Sequence, residues 1–162
     1  MNSTFFEPRT MIVDPGLSAT GVAIRLPRTD NWRFATLRTD ADRSDQARLA
    51  TLYDGLRDLA IETDPEQYLC EQITYIGKRN SEALIRLSVL TGIVLSLAKQ
   101  VNRPFSFVDH LRLEKWQQEL KAKSLAPRSA KESEHVRAAV VLYDHWRTEQ
   151  QLEQQAQLFT EK

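Results

Sequence analysis

Thr10-Met11-Ile12-Val13-Asp14-Pro15-Gly16-Leu17-Ser18-Ala19-Thr20-Gly21-Val22-Ala23-Ile24 is the stretch on which the fold turns. Met11 to Val13 is a short apolar β-type run that stops at Asp14-Pro15-Gly16, a turn signature, and a second run follows from Thr20 to Leu26. The two predict an antiparallel hairpin. After the turn cluster Pro27 to Asn31, the alternation of aromatic and β-branched residues from Trp32 to Thr36 predicts a third strand in the same meander.

Downstream the period changes. Ser44 reads as an N-cap, and Leu49, Leu52, Tyr53, Leu56, Leu59 and Ala60 recur at helical spacing until Thr63-Asp64-Pro65. Gln67 to Cys70 is a short strand running into Glu71, and Asn80 or Ser81 caps a helix to about Asn102. Leu84, Leu87, Leu90, Val94, Leu95 and Ala98, with Ile85, Ile93 and Leu97 on other faces, nearly encircle that helix, so it needs burial on more than one side. Phe105 to Val108 is a further strand, Leu111 to Leu120 a short helix carrying a core Trp116, and Lys121 to Ser129 a basic loop. A last helix begins near Ala130, with Val136, Val140, Tyr143 and Arg147 along one stripe. Three meandering strands followed by alternating helices and strands predict an α/β fold: a mixed five-stranded sheet flanked by helices.

At 162 residues and 18.7 kDa the chain fits one domain over 1–147, with a Gln-rich segment, 148–162, as a helical extension or frayed end. The longest nearly uncharged apolar stretch, Leu87 to Ala98, has twelve residues. Crossing a bilayer needs about 20, so no membrane role is expected. A single cysteine, Cys70, excludes an internal disulfide framework and a multi-cysteine zinc site, and points to a reducing cytoplasm. Net charge is zero, yet residues 77–138 hold twelve Lys and Arg against six acids. That half offers a polyanion a basic face without making the whole molecule basic. Lys121, Lys123, Arg128 and Lys131 are its candidate phosphate contacts, the alternative being a solvated linker.

Two carboxylates stand out. Asp14 closes the first strand and Glu71 follows the apolar Tyr68-Leu69-Cys70, both at exits of strands that the topology makes central. Acids at the ends of buried strands are costly to desolvate unless paired or metal-bound. Singly, each has an ordinary reading, Asp14 as a turn former and Glu71 as a surface acid.

Together with their context they gain a family likeness. Asp14-Pro-Gly-Leu-Ser-Ala-Thr-Gly21 with Val22-Ala23-Ile24, Glu71-Gln72 after a hydrophobic strand, Asn80-Ser-Glu-Ala-Leu84 entering a long helix, and Glu134-His135-Val-Arg-Ala-Ala139 on the last helix form the pattern. It resembles the RuvC family of Holliday-junction resolvases, within the RNase H-like nuclease superfamily, from about Thr10 to Trp146. The Glu-His-x-Arg variant is most similar to phage or prophage members, which implies a bacterial or phage-infected cell.

The resemblance implies an RNase H-like fold and hydrolysis of four-way or otherwise branched DNA by a homodimer that makes paired nicks. It implies two Mg²⁺ ions per site, with Mn²⁺ as a substitute, one ion activating water and the other stabilising the leaving oxygen. Asp14 would bridge the ions, Glu71 would bind one, and Glu134 and His135 would close the site from the last helix. Ala138 stands where the family pattern has an aspartate, three positions after His135 on the same helical face. Either Glu134 and His135 suffice, or the chain is a weakened or inactive nuclease that mainly binds junctions, or the alanine is an engineered change. An RNA-processing nuclease of the same superfamily is a further alternative. In the loop 74–80, Tyr75 or Ile76 would enter the junction centre, with Lys78 and Arg79 on flanking phosphates. The surplus apolar surface of the helix from Ser81 to Asn102 would form the homodimer interface.

Overall fold

The computed structural model describes residues 7–27, 31–72, 81–109 and 134–160. Five strands and three helices are present among them: β1 (Thr10–Asp14), β2 (Ala19–Arg25), β3 (Trp32–Arg38), α1 (Asp45–Thr63), β4 (Gln67–Gln72), α2 (Ser81–Gln100), β5 (Phe105–Asp109) and α3 (Glu134–Thr160). The strands form one sheet in the order β3-β2-β1-β4-β5. The expected hairpin is there, registered from Thr10↔Arg25 to Asp14↔Gly21, and β3 extends the antiparallel meander on β2. β4 then lies parallel to β1, from Thr10↔Gln67 to Val13↔Cys70, and β5 lies parallel to β4. This is the mixed five-stranded α/β architecture that the pattern of runs and periods predicts.

Strand alternation sorts the core into two layers. Met11, Val13, Val22, Ile24, Tyr68 and Cys70 face α1 and α2, where they meet Leu56, Val94, Leu97 and Ala98. Ile12, Ala23, Leu69 and Val108 face the other way, against Ala139, Val140, Leu142 and Tyr143 of α3. β1 is buried along its whole length because both faces are covered and both edges are paired. A polar side chain at its end is therefore carried into the middle of the molecule.

Element ends follow local chemistry. Ser44 caps α1, its side chain accepting from the Ala47 N–H at 3.3 Å. Asp64 ends that helix in the left-handed conformation at φ 42°, returning its N–H to the Ala60 carbonyl at 2.9 Å, and Pro65 prevents continuation. α2 stops two residues before the expected Asn102, which adopts φ 52° and bonds the Lys99 carbonyl at 3.1 Å. β3 runs past Thr36 to Arg38, because Leu37 packs on α1: a Cβ added at Gly55 would lie 3.0 Å from its side chain. The Gln-rich segment after 148 continues α3 as helix to Thr160. The expected short helix 111–120, with Trp116, and the basic loop 121–129 lie outside the described residues. Among the described residues, no helix is long and apolar enough to cross a membrane.

Candidate active site

Asp14 ends β1 with only 6% of its surface exposed. Its Oδ2 accepts from His135 Nδ1 of α3 at 2.6 Å, a contact spanning 121 residues of sequence. The carboxylate offers only acceptors while ionised, so Nδ1 carries the proton in this bond. The bond therefore sets the imidazole tautomer and aims the ring.

The two glycines of Asp14-Pro-Gly-x-x-x-x-Gly21 make this meeting possible. Gly21 is paired with Asp14 across the hairpin, and a Cβ added there would run into the His135 backbone. A Cβ on Gly16 would collide with the Ala19 carbonyl and come within 3.2 Å of His135 Cε1. The first described turn of α3 thus rests directly on bare backbone, with no side chain between helix and strand. Thr20 closes the turn, its hydroxyl donating to the Gly16 carbonyl at 2.8 Å. The sequence presents these glycines only as parts of a motif and not as the seat of α3; the signal for that contact is the glycine opposite the aspartate.

Glu71 follows Cys70, the partner of Val13 in the parallel ladder, so Asp14 and Glu71 leave neighbouring strands at the same level. Alternation puts both on the face of Ile12 and Leu69, beneath α3. Glu71 is half-buried. The electrostatics agree: burial first, then the nearby Glu71 and Asp14 carboxylates, push the Cys70 thiol well above its ordinary range. That thiol is fully buried and un-ionised, which leaves it outside nucleophilic chemistry.

The remaining expected residues divide into two groups. Ala138 lies one turn beyond His135, half-buried and without a donor atom, while Arg137 beside it is exposed. Glu134 is the first residue of α3. Asp144, a further acid of α3 that is not among the expected site residues, is remote from the site, half-buried near Arg147 and Arg25. Tyr75, Ile76, Lys78, Arg79, Lys121, Lys123, Arg128 and Lys131 lie outside the described residues. Among the described residues, no group of three or more His, Cys, Asp and Glu side chains is gathered closely enough to hold a metal ion. The structure brings Asp14 and His135 into contact and sets Glu71 on the strand beside them.

No protein-family model matches the chain. The crossover junction endodeoxyribonuclease RuvC of Moorella thermoacetica is 27% identical over 95 residues, covering 57% of this chain and 56% of that protein. The matched part thus spans little more than half the length of that curated relative. Among solved structures, T. thermophilus RuvC in complex with a Holliday junction substrate superposes with a TM-score of 0.65 at 15% identity, covering 82% of this chain and 89% of that one. The yeast mitochondrial Holliday junction resolvase Ydc2 superposes with a TM-score of 0.57 at 15% identity, covering 90% and 80%. The chain is thus similar in sequence to RuvC over those 95 residues, and its fold, a mixed five-stranded sheet beneath α3, is that of the RuvC structures.

Proposed function

We propose that this protein is a metal-dependent endonuclease that resolves four-way or otherwise branched DNA in the cytoplasm. The observation that carries the reading is the placement of Asp14 and Glu71 at one level of adjacent parallel strands, with His135 of α3 on Asp14. The similar proteins are named as a crossover junction endodeoxyribonuclease and as Holliday junction resolvases, one of them bound to a junction.

The donor set fits Mg²⁺. That ion is usually held through one or two carboxylates and keeps its remaining positions for water and phosphate oxygens, so a three-ligand protein cage is not required. Asp14 and Glu71 would hold it, with His135 and Glu134 at the helix side. Mn²⁺ accepts the same oxygen donors. Bound there, divalent ions would activate water and neutralise charge on the scissile phosphate. His135 fixes which oxygen of Asp14 is engaged and which is left for a cation, and the buried surroundings of Asp14 limit competing solvent.

A homodimer supplies the second active site for paired nicks. Ile85 and Val89 are 64% and 44% exposed on α2, and Ser88, Gly92 and Ser96 continue that face as small exposed residues. A Cβ on Gly92 would meet nothing within 4 Å, so no contact inside the chain demands a glycine there. A flat stripe of this kind suits a second copy of the same helix across a two-fold axis.

The test is a labelled four-way junction incubated with Mg²⁺ or Mn²⁺. Symmetric nicks are expected, and Asp14→Asn should slow them by about 100-fold or more while junction binding stays within about twofold. Undiminished cleavage by the Asn variant removes Asp14 from the mechanism. Ala138 favours a second reading, a protein that binds junctions and cuts them poorly. Ala138→Asp decides between them: a gain of about tenfold or more identifies a disabled site, and no gain identifies one complete without a carboxylate at that position.

A further inference from the structure

Arg48 lies on α1 at a position that helical spacing assigns to burial, four residues before the buried Leu52 and eight before Leu56. It is 9% exposed, and its donors spread to three places. Nε donates to Thr39 Oγ1 at 3.0 Å, Nη2 donates to Ser18 Oγ at 2.9 Å, and Nη1 pairs with Asp45 Oδ1 at 3.8 Å. Thr39 in turn holds the turn that follows Asp14. Its hydroxyl donates to the Leu17 carbonyl at 2.5 Å and its N–H to the Ser18 carbonyl at 3.2 Å. Asp45 is held from the other helix, its Oδ2 meeting Arg86 Nε of α2 at 2.5 Å.

None of these contacts belongs to the apolar core between the helices and the sheet. They converge on Leu17 and Ser18, one and two residues from Gly16, whose backbone lies under His135, and three and four from Asp14 at the end of β1. The turn projects beyond the β1–β2 ladder, which ends at Asp14↔Gly21, and is held from within by Thr20 on Gly16 and from outside by Arg48 and Thr39. We propose that Arg48, oriented by Asp45 and Arg86, is a positioning residue that clamps the 15–18 turn and so holds Asp14 and Gly16 in the geometry that receives His135. The inference rests on the nuclease reading for its effect on catalysis and on the hydrogen bonds alone for its effect on the turn. A planar guanidinium serves three directions at once, whereas an ammonium serves them only by leaving some unmet.

Arg48→Lys keeps the charge and breaks the fork, and Asp45→Asn loosens its orientation. Amide hydrogen exchange should accelerate about tenfold or more at Thr39 and Gly16 in Arg48→Lys, and less in Asp45→Asn, while β1 and β4 amides keep wild-type rates. Single-turnover cleavage should fall about tenfold or more with the junction Kd unchanged, because placement is lost and binding is not. Unchanged exchange at Thr39 and Gly16 overturns the proposal. So does acceleration spread equally over β1 and β4, which makes Arg48 a general stabiliser, or a Kd that weakens in step with the rate, which makes it a DNA contact. A wild-type protein that cuts no junction defeats the nuclease reading instead, and the exchange pattern then decides the clamp by itself.

Discussion

The contact between α3 and the sheet has two ends, one around His135 and one around Tyr143 and Arg147, made by opposite means. At the first described turn of α3, bare backbone at Gly16 and Gly21 admits the helix, and the buried Asp14 has an imidazole as its ion-pair partner, charged only when protonated. Farther along, large side chains fill the gap and charges are matched by permanent cations. Glu7 pairs with Arg147 at 2.6 Å and with Arg25 at 3.6 Å, Arg25 lies 5.4 Å over the Trp32 ring, and Tyr143 meets that ring edge-on at 5.3 Å. The difference separates an acid that anchors from one that the proposed function would put to work. Glu7 is held by two guanidiniums, whereas Asp14 has an imidazole partner that is charged only when protonated, and on the proposed reading it would share its carboxylate with a metal cation.

Gly21→Ala attacks the bare end and should have the largest effect on the fold. A methyl group driven into the His135 backbone forces α3 off the sheet, at a cost of about 3 kcal/mol, and separates His135 from Asp14. Denaturant unfolding and junction cleavage should both suffer. A variant with wild-type stability shows that the helix does not bear on that glycine.

Glu7→Gln attacks the filled end. Removing the carboxylate shared by Arg25 and Arg147 leaves the nearly buried Arg25 guanidinium short of its anion, and stability should fall by about 2 kcal/mol. Cleavage per folded molecule should not change, since the contact is remote from Asp14. Equal losses of activity and stability in this variant would erase the distinction between the two ends.

The sequence makes the first end legible and the second almost invisible, for physical reasons. Asp14-Pro15-Gly16 states a turn, and the two-residue period on either side states the hairpin, because both signals are local. Glu71 stood out because an acid at the exit of an apolar strand is costly without a partner. The parallel pairing of β1 with β4, which sets Glu71 beside Asp14, joins residues 57 apart and leaves no local trace; the family likeness supplied it. Arg25 reads as an ordinary strand end and Arg147 as a point on an apolar stripe, and nothing in their spacing announces Glu7 between them. Arg48 was readable in principle, as a charge at a position of the helical period that is otherwise buried.

The smallest effect belongs to Asp144, also at the filled end. Burial raises its carboxyl above the ordinary value of 3.8, against the pull of Arg147 and Arg25, which lower it. A carboxyl that holds its proton more tightly folded than unfolded adds stability below that ordinary value. The contribution disappears as pH rises through the folded value. At neutral pH the ionised Asp144 is therefore a small net burden on the fold, in contrast to Glu7, which two guanidiniums hold at 2.6 and 3.6 Å. Asp144→Asn cannot ionise. The variant should unfold at a slightly higher temperature than wild type at pH 7, with the two curves converging below about pH 4. A variant less stable at pH 7 would mean that the two arginines outweigh burial, and Asp144 would then join Glu7 as an anchoring acid.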